Sequence, residues 1–151
     1  MTRILRLSLM LFLTVSMMAC DKDDDIQELP SLEVTNANLH GTWKLYEWNG
    51  ELMNDSRYSY IDFDRLEQAF VIYENFSSMY ARKLTGKFTI GGSNEDGYTL
   101  TGVYDYTDEA WKGYDVNRLT TERLELSESN NPDEVLIYVR CAEIPDDVLY
   151  E

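Results

Sequence analysis

Leu84-Thr-Gly-Lys-Phe-Thr-Ile90, Gly91-Gly-Ser-Asn-Glu-Asp-Gly97 and Tyr98-Thr-Leu-Thr-Gly-Val-Tyr104 follow one another without interruption, and the fold turns on how they are read. In the first run Leu84, Gly86, Phe88 and Ile90 share one side while Lys83, Thr85, Lys87 and Thr89 share the other. That period of two is a half-buried strand. Tyr98, Leu100, Gly102, Tyr104 and then Tyr106 repeat it. Between the two runs, Gly and Asn supply the positive φ that a chain reversal needs. The stretch is therefore expected to form an antiparallel hairpin.

Working outward from it, short β-branched and aromatic runs recur between clusters of Gly, Asn, Asp and Ser, the spacing of a meander. Eight strands are expected over Thr42–Trp48, Arg57–Phe63, Ala69–Phe76, Tyr80–Ile90, Tyr98–Tyr106, Gly113–Leu119, Glu122–Glu128 and Glu134–Cys141. Leu124 and Leu126 alternate with Arg123 and Glu125 in the seventh. Ser129-Asn-Asn-Pro-Asp133 reads as a second turn, with Pro132 ending the ladder. One segment competes with the strand reading. Asp64-Arg-Leu-Glu67 has the form of a helix capping box, and Leu66, Phe70, Tyr73, Phe76 and Tyr80 follow at near-helical spacing. The run Phe70-Val-Ile-Tyr73 favours a strand, with one helical turn over Arg65–Gln68. Eight sequential antiparallel strands close on themselves because closure removes both exposed edges. The expected class is all-β, an eight-stranded antiparallel up-and-down barrel, a size that can hold one small ligand.

The N-terminus is organised differently. Met1–Ala19 carries Arg3 and Arg6, no acid, and an apolar run from Met10 to Ala19, the order of a secretory signal. The run is too short to span roughly 30 Å of hydrocarbon, and it ends in Asp21, Asp23, Asp24 and Asp25. Ala19 directly before Cys20 resembles the lipobox of bacterial lipoproteins, and Lys22-Asp23-Asp24-Asp25 resembles the export tag of Bacteroidetes surface lipoproteins. The resemblance implies cleavage after Ala19, acylation of Cys20, and an outer-membrane protein held at the cell surface by its N-terminal lipid. Residues 20–38, polar and without period, are expected to be a flexible acidic tether, and residues 39–151 the single folded domain.

Loss of residues 1–19 removes two arginines and no acid, so the net charge passes from −15 to −17. A chain this acidic excludes nucleic acid as a partner and is repelled by anionic lipid, which leaves neutral or cationic small molecules and a monomeric barrel. With Cys20 assigned to lipid, Cys141 has no disulfide partner and reads as a small core thiol at the end of a strand.

His40-Gly-Thr-Trp43 at the first strand resembles the Gly-x-Trp opening of lipocalins. The order Trp43-Lys-Leu, Tyr60-Ile-Asp-Phe63, Phe70-Val-Ile-Tyr-Glu74, Leu84-Thr-Gly-Lys-Phe88, Leu100-Thr-Gly-Val-Tyr104, Trp111-Lys-Gly-Tyr114, Tyr138-Val-Arg140 and Ile144-Pro-Asp-Asp-Val148 is similar to lipocalin-like lipoproteins of Bacteroidetes. The resemblance implies that Gly41 and Trp43 shut one end of the barrel and that Arg140 lies across the Trp43 ring in a cation–π contact. The Thr-Asp-Tyr motif of lipocalins is missing, so receptor binding of the vertebrate kind is not implied.

Catalysis has little to work with. His40 is the only histidine and sits beside a turn, so no Ser-His-Asp set and no tetrahedral zinc site can be assembled. The acidic loops Ser93–Gly97 and Asp105–Glu109 lack EF-hand spacing and read as solvated turns. No catalytic residue, metal or cofactor is expected. Eleven tyrosines and three tryptophans instead suit a planar or amphipathic small ligand. The candidate ligand residues, expected to face inward near the open end, are Tyr46, Trp48, Phe70, Tyr98, Tyr104, Trp111 and Tyr114. The alternative is a filled barrel whose loops Asn49–Ser56 and Thr107–Gly113 meet a protein partner of the envelope.

Overall fold

The computed structural model describes residues 29–149 apart from 55, 77–79 and 108. The signal segment, Cys20 and the acidic run lie outside the described residues. Nine strands follow in chain order: β1 (Gly41–Trp48), β2 (Glu51–Leu52), β3 (Ser59–Asp64), β4 (Ala69–Glu74), β5 (Arg82–Ser93), β6 (Gly97–Tyr104), β7 (Ala110–Leu119), β8 (Arg123–Glu128) and β9 (Asn131–Cys141). Short helices α1 (Asn36–Leu39) and α2 (Asp146–Leu149) flank them. Neighbouring strands pair antiparallel, and β1 also pairs with β9, so the sheet closes into a barrel of eight strands. The small β2 only extends β1, through the positive-φ turn Asn49-Gly50. Each of the eight expected segments contains one of the barrel strands.

The alternation read in the central hairpin is the alternation observed. Phe88 and Leu100 are buried while Lys87, Thr89 and Thr101 are exposed, and Phe88 pairs with Gly102 across the ladder. The helix reading of Asp64–Tyr80 ends after one turn. The Asp64 carboxylate accepts from the Leu66 and Glu67 amides, as a cap would, but Gln68 takes a positive φ and the chain turns back into β4. Those two amides also hold the Asp64 carboxyl below the usual carboxylate range.

Two expectations change. The tether does not run to residue 38: the Leu32 amide donates to Leu119 carbonyl, Val34 and Leu39 are buried, and Thr35 caps α1. Apolar side chains four to seven residues before the barrel give this segment enough surface to bury, so it docks on the closed end. Pro132 does not end the ladder. It lies inside β9, where Ser127 pairs with Val135 and Glu128 with Asn131, so residues 132–134 bulge out and no amide is required of the proline.

The two ends of the barrel are filled differently. Around the closed end Trp43, Leu45, Phe63, Phe88, Leu100, Leu119 and Leu124 are almost wholly buried and make a solid core. Outside the wall, α2 lays Val148 near Tyr58 and Tyr60.

Candidate functional site

The closed end is fixed by one aromatic ring and one guanidinium. Trp43 is fully buried and donates its indole N–H to the Leu39 carbonyl at 2.9 Å. Arg140, opposite it on β9, sits with its guanidinium carbon 4.0 Å from the indole centroid. Its nitrogens donate to the His40, Asn38 and Thr121 carbonyls at 2.6, 2.8 and 2.7 Å, tying α1 and the β7–β8 turn to β9. Gly41 has φ +110°, and a Cβ there would stand 2.9 Å from Arg140 Nη1. Only glycine fits both constraints. His40 donates from Nδ1 to the Phe63 carbonyl at 2.7 Å, a structural bond that assigns the ring its tautomer.

At the other end the interior is hollow. A cavity of about 330 Å³ opens between the strand ends, with Ile61, Ile72, Leu126 and Leu136 toward its base. Trp48, Phe76, Tyr104, Trp111, Tyr114 and Tyr138 supply its walls. Beneath it Phe70 packs on Trp111 with centroids 4.6 Å apart, and Trp111 continues to Tyr114 at 5.2 Å. Trp48 meets Phe76 at 5.2 Å. Phe70 reaches this place because its cross-strand partner is Gly86, where a Cβ would fall 2.5 Å from the ring.

Polar groups are few and placed. Ser59, Glu74, Lys112 and Glu134 line the cavity. Arg82 is paired with Glu74, and Lys112 with Glu128 at 2.9 Å and Glu134 at 4.0 Å. Burial pushes the Tyr114 and Tyr138 phenols far above their ordinary range, and burial followed by the Tyr106 and Glu74 charges raises Tyr104. These phenols stay neutral donors. The Trp48 indole N–H is buried and has no hydrogen-bond partner among the described residues. A larger recess, about 930 Å³, runs over the outer wall from Leu29 to Arg123 and Ala142. It lies against the first described residues, outside the barrel, and lacks the convergent aromatic lining of the mouth.

A family model described as a lipocalin-like domain matches residues 39–126, more than half of the chain. The chain belongs to the lipocalin-like family. The NMR structure of a protein from Bacteroides uniformis ATCC 8492 is similar to it with TM-score 0.53 and 13% identity, covering 74% of this chain and 96% of that one. A crystal structure titled as a lipocalin-like protein from the same organism gives TM-score 0.50 and 14% identity, covering 69% and 99%. At such identities the likeness bears on the fold alone. No curated protein matches the chain.

Within this lipocalin-like barrel, five of the seven residues expected at the mouth come together. Trp48, Tyr104, Trp111 and Tyr114 line the cavity, and Phe70 lies under it. Tyr46 and Tyr98 are corrections. Tyr46 is the extra residue of a bulge in β1, exposed on the outer wall. Tyr98 pairs with Gly92 and Val116 near the closed end, and its hydroxyl donates to Glu33 at 3.3 Å. Glu74 and Tyr138 were missed, although the period of two marks both: Phe70, Ile72 and Glu74 share the inner face of β4, and Leu136 and Tyr138 that of β9. Lys112 and Glu134 lie in irregular stretches where alternation gives no face. Cys141 is partly exposed, with its thiol pushed up by burial. Among the described residues no group of three potential metal ligands occurs, and Asp108 of the second acidic loop is outside them.

Proposed function

We propose that this lipocalin-like barrel captures one small hydrophobic or aromatic molecule in its open end, by binding and without turnover. The observation that carries this reading is the cavity of about 330 Å³ walled by aromatic rings above a solid core. A filled barrel would present only its loops. At roughly 30 Å³ per water molecule the space equals about eleven waters, which suits one ring system with a short substituent and is too small for a long acyl chain. The unpartnered Trp48 N–H and the neutral Tyr104 and Tyr114 phenols offer donors for an acceptor on the ligand.

Membrane anchoring through acylated Cys20 is part of the proposal, with the outer membrane and the cell surface as its place. The chain joins the barrel at Leu29, whose carbonyl accepts from Arg118 near the closed end. Residues 21–28 could bridge at most about 30 Å to a lipidated Cys20, which supports a mouth turned away from the bilayer. Replacing Cys20 by Ser should release the protein from the membrane fraction; a variant that stays membrane-bound contradicts the anchor.

Binding is tested by calorimetry of the full chain with 3-ethylindole, a neutral ring of suitable size. Saturable one-to-one binding that weakens about tenfold or more in Trp48→Ala supports the reading. Absence of binding by this ring and by a panel of similar size would leave the exposed loops as the recognition surface.

A further inference from the structure

The acids of the mouth and the bases that neutralise them are not equally exposed. The side chains of Glu74 and Glu134 are 18% and 21% exposed, those of Arg82 and Lys112 47% and 56%. The carboxylates belong to the cavity wall and their counter-ions approach from solvent. Arg82 engages Oε1 of Glu74. Lys112 sits 2.9 Å from Glu128 but 4.0 Å from Glu134, so Glu134 is only loosely held. A carboxylate offers about four acceptor sites, and most of those on Glu74 and Glu134 are not used by these pairings.

We infer, building on the binding role proposed above, that the ligand is an aromatic amine in its cationic form. Its ring stacks among Trp48, Trp111 and Tyr114, and its ammonium turns to Glu74 and Glu134. Aromatic faces carry negative potential and attract a cation within about 6 Å, more strongly where water is excluded. The same walls therefore serve both halves of such a molecule. The rest of the chain acts in the same direction, since a net charge of −15 raises the local concentration of small cations and repels anions. Lys112, which also lines the mouth, is already matched by Glu128 and Glu134 and leaves no positive charge for an anionic ligand. The cavity volume limits the molecule to one fused ring pair with a short side chain.

The test is calorimetry on the full chain with three probes of one shape: tryptamine, 3-ethylindole and indole-3-propionate. The expected order is tryptamine tighter than 3-ethylindole by about tenfold, with indole-3-propionate weakest, and the amine's advantage shrinking as salt is added. Glu74→Gln combined with Glu134→Gln should erase that advantage and leave 3-ethylindole unchanged. Equal or tighter binding of 3-ethylindole to the unaltered protein overturns the inference while the binding role stands. So does an advantage that survives the double substitution. Failure of all three probes to bind overturns the binding role, and the inference with it. The charge series on the unaltered protein decides the matter even if the double variant does not fold.

Discussion

Arg140 gathers three backbone carbonyls and one indole face at a single point, and few side chains in the molecule have so many obligations. Replacing it by Ala leaves the carbonyls of Asn38, His40 and Thr121 without their donor and uncovers Trp43. The expected loss is about 3 kcal/mol, read as a lowered urea midpoint with unchanged slope. Arg140→Lys should fall between, because an ammonium keeps the charge but not the planar fork. Tyr114 and Tyr138 give a second residue-scale prediction. Their folded-state pKa values lie above the unfolded value of about 10. The stabilisation from burying them neutral is therefore complete below about pH 10 and is lost as the pH rises through that value toward the folded-state ones. Phenolate absorbance should show exposed tyrosines titrating reversibly near pH 10, with these two ionising only together with unfolding. Simultaneous titration of all tyrosines in a folded protein would contradict it. At this scale the sequence was partly readable. Gly41, Trp43 and Arg140 were marked by the lipocalin resemblance, and Phe70, Tyr104, Trp111 and Tyr114 by their aromatic character on strands. Tyr98 was misplaced because alternation says which face a residue takes and nothing about its height along the barrel.

Strands were legible because inward and outward residues differ in kind, and the closed end because it is regular. The mouth is built from irregularities, which follow no period. In β1, Trp43 and Leu45 face inward, and strict alternation would turn Trp48 outward. The bulge between Leu45 and Glu47 reverses the count, sending Tyr46 out and Trp48 in. A second shift lets Trp111 and Tyr114 both face the cavity, three residues apart, opposite Gly102 and Leu100. Deleting Tyr46 should restore plain alternation, withdraw Trp48 from the wall and abolish ring binding. Circular dichroism and calorimetry would check that the strand content stays while affinity is lost. Gly86 is the matching feature of β5. A Cβ there would stand 2.3 Å from Val103 oxygen and 2.5 Å from Phe70 Cζ. Gly86→Ala is expected to cost about 2 kcal/mol and to disturb the floor of the cavity; a variant as stable as the parent, with equal affinity, would show that Phe70 has another place to go. The Asn49-Gly50 reversal was also written in the sequence as a hairpin signal, inside what was expected to be a plain loop.

The whole molecule divides along its axis into a half that holds the fold and a half that is free to bind. Trp43, Phe63, Phe88 and the leucines around them fill the first, so the second can remain hollow without the barrel collapsing. The sequence indicated closure, since an even meander has no other way to satisfy its edges, but not how far up the core would reach. That depends on bulges and on ring packing. The three tryptophans report on the division directly: Trp43 at the closed end, Trp111 on the wall above Phe70, Trp48 beside Phe76. The decisive measurement is a nitrogen–proton correlation spectrum of the full chain labelled at its indole nitrogens, titrated with 3-ethylindole. The account predicts saturable one-to-one shifts of the Trp48 and Trp111 signals while Trp43, bonded to Leu39, stays in place. Three unmoved signals, or Trp43 shifting as far as the other two, would contradict it.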